Sequence, residues 1–152
     1  KESEKLLRKG SNGIEFFTTQ VLYDSIKIKK LLKYYDDICK KNQVLPRRIL
    51  LSFAPVSSKK NIDFLKWLGV EIPKTTEKRL IEKDNEMTEE SLQIATDILK
   101  DILNNNEELG IKVPIGLNVE HIMSYNFQYS INMLQVLSRI YREFCIKTSL
   151  YD

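Results

Sequence analysis

The sequence has few of the residues and motifs that usually carry catalytic or covalent chemistry. Its 152 residues include one histidine, two cysteines, five glycines and four prolines. It contains no glycine-rich phosphate loop and none of the metal-binding or nucleophile motifs of common hydrolases. Cys39 and Cys145 lie far apart in helical stretches, which predicts two reduced, mostly buried thiols rather than a disulfide or a metal site.

The sequence also has little excess of either charge. Lysine and arginine total 24 against 21 acidic residues, so the formal net charge is only +3, and it is spread along helix faces. Nucleic-acid-binding proteins usually concentrate their positive charge, so we expect no nucleic-acid partner. No apolar run approaches the length of a membrane span, and no signal-like segment opens the sequence. We therefore expect a cytoplasmic protein with no membrane contact.

What the chain does have is a globular composition and a regular alternation of elements. Hydrophobic residues make up 42% and charged residues 30%, which predicts one domain, residues 1–152, with a real core. Strand-like stretches are 14–20, 48–53 and 113–119, and helical stretches are 1–9, 25–41, 59–68, 75–83, 88–109 and 127–145. Strands that alternate with helices predict an α/β fold with a parallel sheet, and their apolar character predicts burial on both faces.

The first strand ends in a glutamine, in the stretch "GIEFFTTQVLYD". In parallel α/β folds the ligand site lies beyond the carboxyl ends of the strands, so polar residues there are candidates for binding. Alternation puts Phe16, Thr18 and Gln20 on one face, which makes Gln20 the last inward residue of the strand. Its amide has both donors and an acceptor, which suits the mixed edge of a heterocycle. The alternative is a glutamine that hydrogen-bonds a neighbouring loop.

The third strand repeats this pattern in "PIGLNVEH". Asn118 comes near the strand end, and Glu120 and His121 follow it. A Glu–His pair can transfer protons, but a lone histidine in a loop is more often a solvated side chain. Gly116 lets either a ligand or a packed neighbour approach that face closely.

The second strand is followed by a proline turn and two serines, Ser57 and Ser58. Either serine can cap the next helix, whose free backbone N–H groups can also hold an anion. Trp67 and Leu68, at the end of that helix, are expected to be ordinary core residues.

These residues resemble the methylenetetrahydrofolate reductase family. The first segment has that family's spacing of Gly13, Phe16, Phe17, Thr19 and Gln20. The stretch "RILLSFAPVSSKKNIDFLKWLGVEIP" is similar to the family's next strand, Pro-Val turn and helix, and "VPIGLNVEH" is similar to its final strand. The similarity runs from Gly10 to about Phe144.

The resemblance implies the C-terminal part of a (β/α)₈ TIM barrel, with parallel strands each followed by a helix. It also implies a flavoprotein, with FAD as cofactor and NAD(P)H as electron donor, that reduces 5,10-methylenetetrahydrofolate in one-carbon metabolism. Gln20 then matches the glutamine that binds the pterin ring of the folate. Leu117 and Asn118 match the strand end near the nucleotide portion of the flavin.

Two segments depart from the family pattern. Ser57, Ser58, Lys59 and Lys60 occupy the region where the family has an aromatic residue that stacks on substrate, and Val119 replaces an arginine that often follows the final strand. The acidic residues that the family uses for proton transfer to substrate and for contact near the flavin ring come from earlier strands. They have no counterpart in this sequence, so no catalytic residue is assigned. Because three parallel strands cannot close a barrel, we expect the missing barrel half in the same or another chain, or a homo-oligomer.

Two functions follow from the sequence. The first is the substrate-side segment of a folate-linked flavin oxidoreductase, in which the flavin carries the hydride. The alternative is a non-catalytic α/β module that kept the scaffold and serves as a small-molecule binder or assembly partner. The glutamine favours the first, and the two departures favour the second.

Overall fold

The computed structural model describes residues 1–149; the last three residues of the predicted domain lie outside the described residues. The helices are α1 Glu2–Ser11, α2 Ile26–Lys41, α3 Lys59–Trp67, α4 Lys74–Glu82, α5 Met87–Glu108 and α6 Phe127–Ser149, and the strands are β1 Phe16–Val21, β2 Arg48–Phe53 and β3 Ile115–Val119. Short 3₁₀ turns at Asp84–Glu86 and Ser124–Asn126 precede α5 and α6. The predicted order of elements is confirmed.

The three strands form one parallel sheet in the order β1-β2-β3. The central strand β2 pairs in regular register with β3, from Ile49 opposite Ile115 to Phe53 opposite Val119. Its pairing with β1 shifts between Thr18 and Val21, where β1 carries a bulge. Each strand is followed by helices, so the sheet has the α/β connectivity that the sequence predicts.

One face of the sheet packs against helices and holds the core. Phe17 of β1 meets the ring of Tyr35 in α2 edge-on, and Ile49 and Leu51 of β2 are buried in the same cluster. Neighbouring helices α1 and α2, α2 and α5, and α5 and α6 contact one another across this face. Their apolar stripes therefore close over a single core.

The opposite face of the sheet is far less covered. We call it the open face, and its side chains are Phe16 and Thr18 of β1, Arg48, Leu50 and Ser52 of β2, and Gly116 and Asn118 of β3. Because the bulge pairs Val21 rather than Gln20 with Ser52, the predicted alternation that puts Gln20 on the same face as Phe16 and Thr18 does not hold. Phe16 is 54% exposed, and Thr18 is exposed beside it. The prediction that all three strands are buried on both faces is therefore wrong for β1, because no segment within residues 1–149 covers the side chains of Phe16 and Thr18.

Two glycines end helices as the sequence predicts. Gly69, with φ +85°, follows α3, and Gly110, with φ +60°, follows α5. Residues with a Cβ seldom adopt this left-handed conformation, so glycine is favoured at both turns.

Candidate functional site

The polar residues of interest meet at the carboxyl edge of the sheet. Because β1, β2 and β3 run in parallel, Val21, Phe53 and Val119 end at the same edge. The segments that follow these strands lie side by side there. This is the edge at which parallel α/β proteins bind their ligands.

Gln20 lies at this edge with an exposed side chain. Within residues 1–149 its amide takes part in no hydrogen bond, so the structure does not support the alternative in which it bonds a neighbouring loop. Its amide lies near Gly69 of the next βα unit, where an added Cβ would lie 3.9 Å from Gln20 Nε2. The amide is therefore available to a ligand beside the end of α3.

A groove of about 270 Å³ runs along the free edge of β1. Thr18, Thr19 and Gln20 contribute its strand side, and Leu6 of α1 and Leu31 of α2 line its walls. We call it the β1 groove. Its apolar walls and exposed strand edge are features that another strand can cover.

Asn118 is held by its neighbour rather than free. Its Nδ2 donates a hydrogen bond of 3.0 Å to Ser52 Oγ, and the Ser52 backbone N–H donates one of 2.9 Å to Thr19 Oγ1. These two bonds join the ends of all three strands. Leu117 has the opposite orientation, because its side chain packs partly buried against the core. Any contact of Leu117 with a ligand at this edge is therefore through its backbone.

Gly116 has a packing role on the open face. A Cβ placed there would lie 2.6 Å from Leu50 Cδ2, so the Leu50 side chain already occupies that space. Of the two explanations that the sequence allows, a ligand or a packed neighbour, the structure shows the packed neighbour.

A buried polar cluster follows the second and third strands. Asn126 Nδ2 donates to Asn61 Oδ1 at 3.1 Å and to the Pro55 carbonyl at 3.4 Å, while Ser57 Oγ donates to Asn126 Oδ1 at 2.8 Å. Asn61 Nδ2 donates to Tyr125 Oη at 2.6 Å. We call these residues the asparagine cluster. It joins the first turn of α3 to the turn before α6 and fixes α3 over the carboxyl edge.

The sequence analysis missed this cluster. Asn61 and Asn126 are 3% and 2% exposed, although asparagine is mostly a surface residue. The only sequence signal is their position soon after two predicted strands, and many surface asparagines share it. The cluster also changes how α3 begins: Ser58 makes no side-chain capping bond, and Asn61 Oδ1 instead accepts from the Ser57 backbone N–H at 2.9 Å.

Glu120 and His121 do not form a proton-transfer pair. His121 is exposed, with its ring centroid 5.1 Å from that of Phe127, and no hydrogen bond joins it to Glu120 within the described chain. Burial raises the pKa of the Tyr23 hydroxyl strongly, and the charge of Glu120 adds to that rise. Tyr23 is thus a neutral donor, and its hydroxyl donates to the Ala54 carbonyl at 3.3 Å.

Two expectations about burial are corrected. Trp67 is 78% exposed and Leu68 is also exposed, so neither is a core residue, because α3 turns Ile62 and Leu65 inward instead. Cys39 is buried as expected, but Cys145 is exposed on α6. Both cysteines are free thiols.

Residues 1–149 contain neither a candidate metal site nor a candidate membrane-spanning helix. No group of three or more histidine, cysteine, aspartate or glutamate side chains is arranged to hold a metal ion there. None of the helices described combines the length and apolar character that crossing a membrane requires.

Comparison with known proteins agrees with this geometry. A solved structure from Clostridium thermocellum, an uncharacterized protein that binds two copies of 5-methyl-5,6,7,8-tetrahydrofolic acid, has the same fold with a TM-score of 0.77 at 24% identity. The similarity covers 91% of this chain and 48% of that one, so the chain spans about half the length of that protein. No curated protein matches the chain. The family model for methylenetetrahydrofolate reductase matches residues 1–133, and the chain therefore belongs to the methylenetetrahydrofolate reductase family.

Proposed function

We propose that the chain is the substrate-side segment of a barrel that binds a reduced folate and, in the complete protein, reduces 5,10-methylenetetrahydrofolate. Its family and its parallel α/β fold support this proposal. The observation that carries it is the exposed Gln20 amide at the carboxyl edge, which has no hydrogen bond within residues 1–149. Folding alone does not require an amide there, whereas the pterin ring offers the donors and acceptors that an amide pairs with.

The same proposal assigns residues 1–152 to a single partial domain, the last three βα units of a (β/α)₈ barrel. A three-stranded parallel sheet leaves β1 with an unpaired edge, and closing a barrel requires more strands. The free backbone edge of β1 and the exposed Phe16 and Thr18 are the surfaces that further strands would cover. We propose that those strands come from the same protein, or from another chain that assembles with this one.

The residues of this chain do not by themselves fit a flavin. Asn118 Nδ2 is engaged by Ser52, and Leu50 fills the space above Gly116. Val119 is a partly buried core contact and has no charge to offer a phosphate. FAD, when bound by the complete protein, supplies hydride chemistry, with NAD(P)H as donor. The contacts that hold it are expected mainly outside these 152 residues, and we derive no step through it.

The test is folate binding by Gln20 variants of the complete protein. Gln20→Ala is expected to weaken 5-methyltetrahydrofolate binding by about 1–3 kcal/mol in isothermal titration calorimetry, because it leaves polar groups of the ligand unpaired. Gln135→Ala, which removes an exposed glutamine from α6, is the matched control and should bind as the wild type does. Unchanged affinity in Gln20→Ala would remove Gln20 from the site.

A second candidate function is a non-catalytic folate binder built on the same scaffold. The poor fit to a flavin favours it, in particular the engaged Asn118 and the filled space above Gly116. The absorbance spectrum of the purified complete protein separates the two functions. A bound flavin, bleached by NAD(P)H and reoxidised by methylenetetrahydrofolate, supports the reductase; folate binding without flavin supports the binder.

A further inference from the structure

The surface of α3 presents an aromatic pair to solvent. Trp67 is 78% exposed, and its ring stacks on Phe64 with centroids 5.7 Å apart and an interplanar angle of 22°. An exposed tryptophan gives up the large stabilisation that burying its ring would contribute, so a stacked aromatic pair on the surface is unusual. Flat aromatic surfaces of this kind are the ones on which heterocyclic rings stack.

The helix that carries this aromatic pair ends beside the unpartnered amide. Gly69 follows Trp67 by two residues, and a Cβ at Gly69 would lie 3.9 Å from Gln20 Nε2. The amide and the indole therefore belong to the same end of α3. The Gln20 amide can form hydrogen bonds with the edge of a heterocyclic ring, and the Trp67 indole can stack on the face of the same ring.

The helix that carries the pair is firmly held. Ile62 and Leu65 anchor its inner side in the core, and Asn61 ties its first turn to Asn126 and Tyr125. The positions of Phe64 and Trp67 are thus fixed relative to the carboxyl edge, which lowers the entropy lost when a ligand binds.

The other end of α3 is positively charged. Lys59 and Lys60 are exposed, and neither is in an ion pair within the described residues, whereas Lys66 pairs with Glu77 at 3.0 Å. Asp63 is the single acidic residue in the helix. At a rise of 1.5 Å per residue, Lys60 and Trp67 are separated by about 10 Å along the helix axis. The surface therefore suits an elongated ligand with a flat ring at one end and an anionic group at the other.

We infer that Trp67, backed by Phe64, stacks on the ring system of the bound folate, and that Lys59 and Lys60 face its carboxylate tail. This inference rests on the proposed function, because it takes a reduced folate as the ligand and Gln20 as its hydrogen-bonding partner. It assigns the ring-stacking contact to the C-terminal end of α3, where sequence reasoning expected only core.

Fluorescence of Trp67, the only tryptophan in these 152 residues, tests the stacking directly. The complete wild-type protein and its Trp67→Phe variant are each titrated with 5-methyltetrahydrofolate, and their fluorescence is corrected for ligand absorbance. The difference in fluorescence between the two proteins is the signal of Trp67. We expect saturable quenching of that difference signal, with the same midpoint as calorimetry. Calorimetric binding without any change in the difference signal overturns the inference and leaves the proposed function intact. Absence of calorimetric binding overturns both.

Affinity measurements separate the roles of ring and tail. Trp67→Ala is expected to weaken 5-methyltetrahydrofolate binding about tenfold, while Tyr34→Ala, which removes an exposed aromatic from α2, should leave it unchanged. Lys59→Gln with Lys60→Gln should weaken binding of 5-methyltetrahydrofolate but not of a tetrahydropterin that lacks the glutamyl tail. If Trp67→Ala alters only the oligomeric state in sedimentation, with folate affinity unchanged, the pair is an assembly contact and the inference is wrong.

Discussion

Strands β1 and β2 have similar sequences and very different surroundings. Both are six residues long and rich in apolar or β-branched side chains. In β2, Leu51 and Ser52 are both 0% exposed, whereas Phe16 of β1 is 54% exposed. The central strand β2 has a paired strand on each side, whereas β1 has one and its Phe16 and Thr18 side chains lack a covering layer. Burial of a strand is therefore a property of its neighbours as much as of its own residues.

The difference is also functional. The buried strand β2 uses Ser52 to link the strand ends, and the exposed strand β1 leaves Gln20 unpartnered. Binding residues must be accessible, so the less buried strand is the one able to meet a ligand. Three predictions test this contrast and a fourth supplies a reference away from it, from the largest expected effect to the smallest.

Truncating the central strand should cost far more than truncating the edge strand. Leu51→Ala removes a fully buried side chain and is expected to lower the free energy of unfolding by about 2–5 kcal/mol. Phe16→Ala removes a larger but half-exposed side chain and should cost less than Leu51→Ala. Urea denaturation of both variants measures the difference. Equal losses would show that β1 is buried in solution, for example by another chain.

The hydrogen bond at the β1 bulge should matter more than its place on an edge strand suggests. Thr19→Val removes the acceptor of the Ser52 backbone N–H, which is buried, and should destabilise the chain by about 1–3 kcal/mol. Thr19→Ser keeps the hydroxyl and is the control. If valine and serine at this position gave equal stability, the bond between β1 and β2 would contribute nothing.

Adding a methyl group at Gly116 tests the packing on the other side of β2. Gly116→Ala places a Cβ against Leu50 Cδ2 and is expected to cost about 1 kcal/mol, because the end of a leucine side chain can rotate away. Combining it with Leu50→Ala should remove most of that penalty, and a double-mutant cycle measures the coupling. Strictly additive losses would contradict this explanation.

The smallest effect should come from a surface contact between α2 and α5, away from both strands. Lys29 donates to Asp101 at 2.6 Å, and this bond, together with one from Ser25, lowers the pKa of Asp101. The lowered pKa stabilises the fold at pH values above the unfolded pKa of about 3.9, and that contribution is lost as pH falls through the folded value.

Asp101→Asn should therefore cost less than about 1 kcal/mol at pH 7, since the pair is solvent-exposed. The stability difference between Asp101→Asn and the wild type should shrink as the pH is lowered through the Asp101 titration. Thermal unfolding between pH 3 and pH 7 measures this trend, and a pH-independent difference would rule out the charged contact as its source.

Local sequence patterns predicted the elements well and the site in part. Helical spacing and the glycines at 69 and 110 located the helices, and β2 was predicted with its observed bounds, 48–53. Gln20 was predicted near the carboxyl end of the first strand and lies there exposed, but the bulge in β1 breaks the alternation that the sequence predicts for its face; its role in binding is a proposal. Trp67 was assigned to the core because its neighbours are apolar, and the structure places it on the surface.

What the sequence by itself determined is the order of strands and helices, the parallel α/β class and the family, because periodicity, capping residues and motif spacing are local properties. Only the tertiary structure decided that β1 is half exposed, that Asn61 and Asn126 form a buried cluster, that Trp67 faces solvent and that Gly69 lies beside Gln20. These depend on which segments pack together across long sequence separations. Burial and hydrogen bonding are properties of such contacts, and no single stretch of sequence contains them.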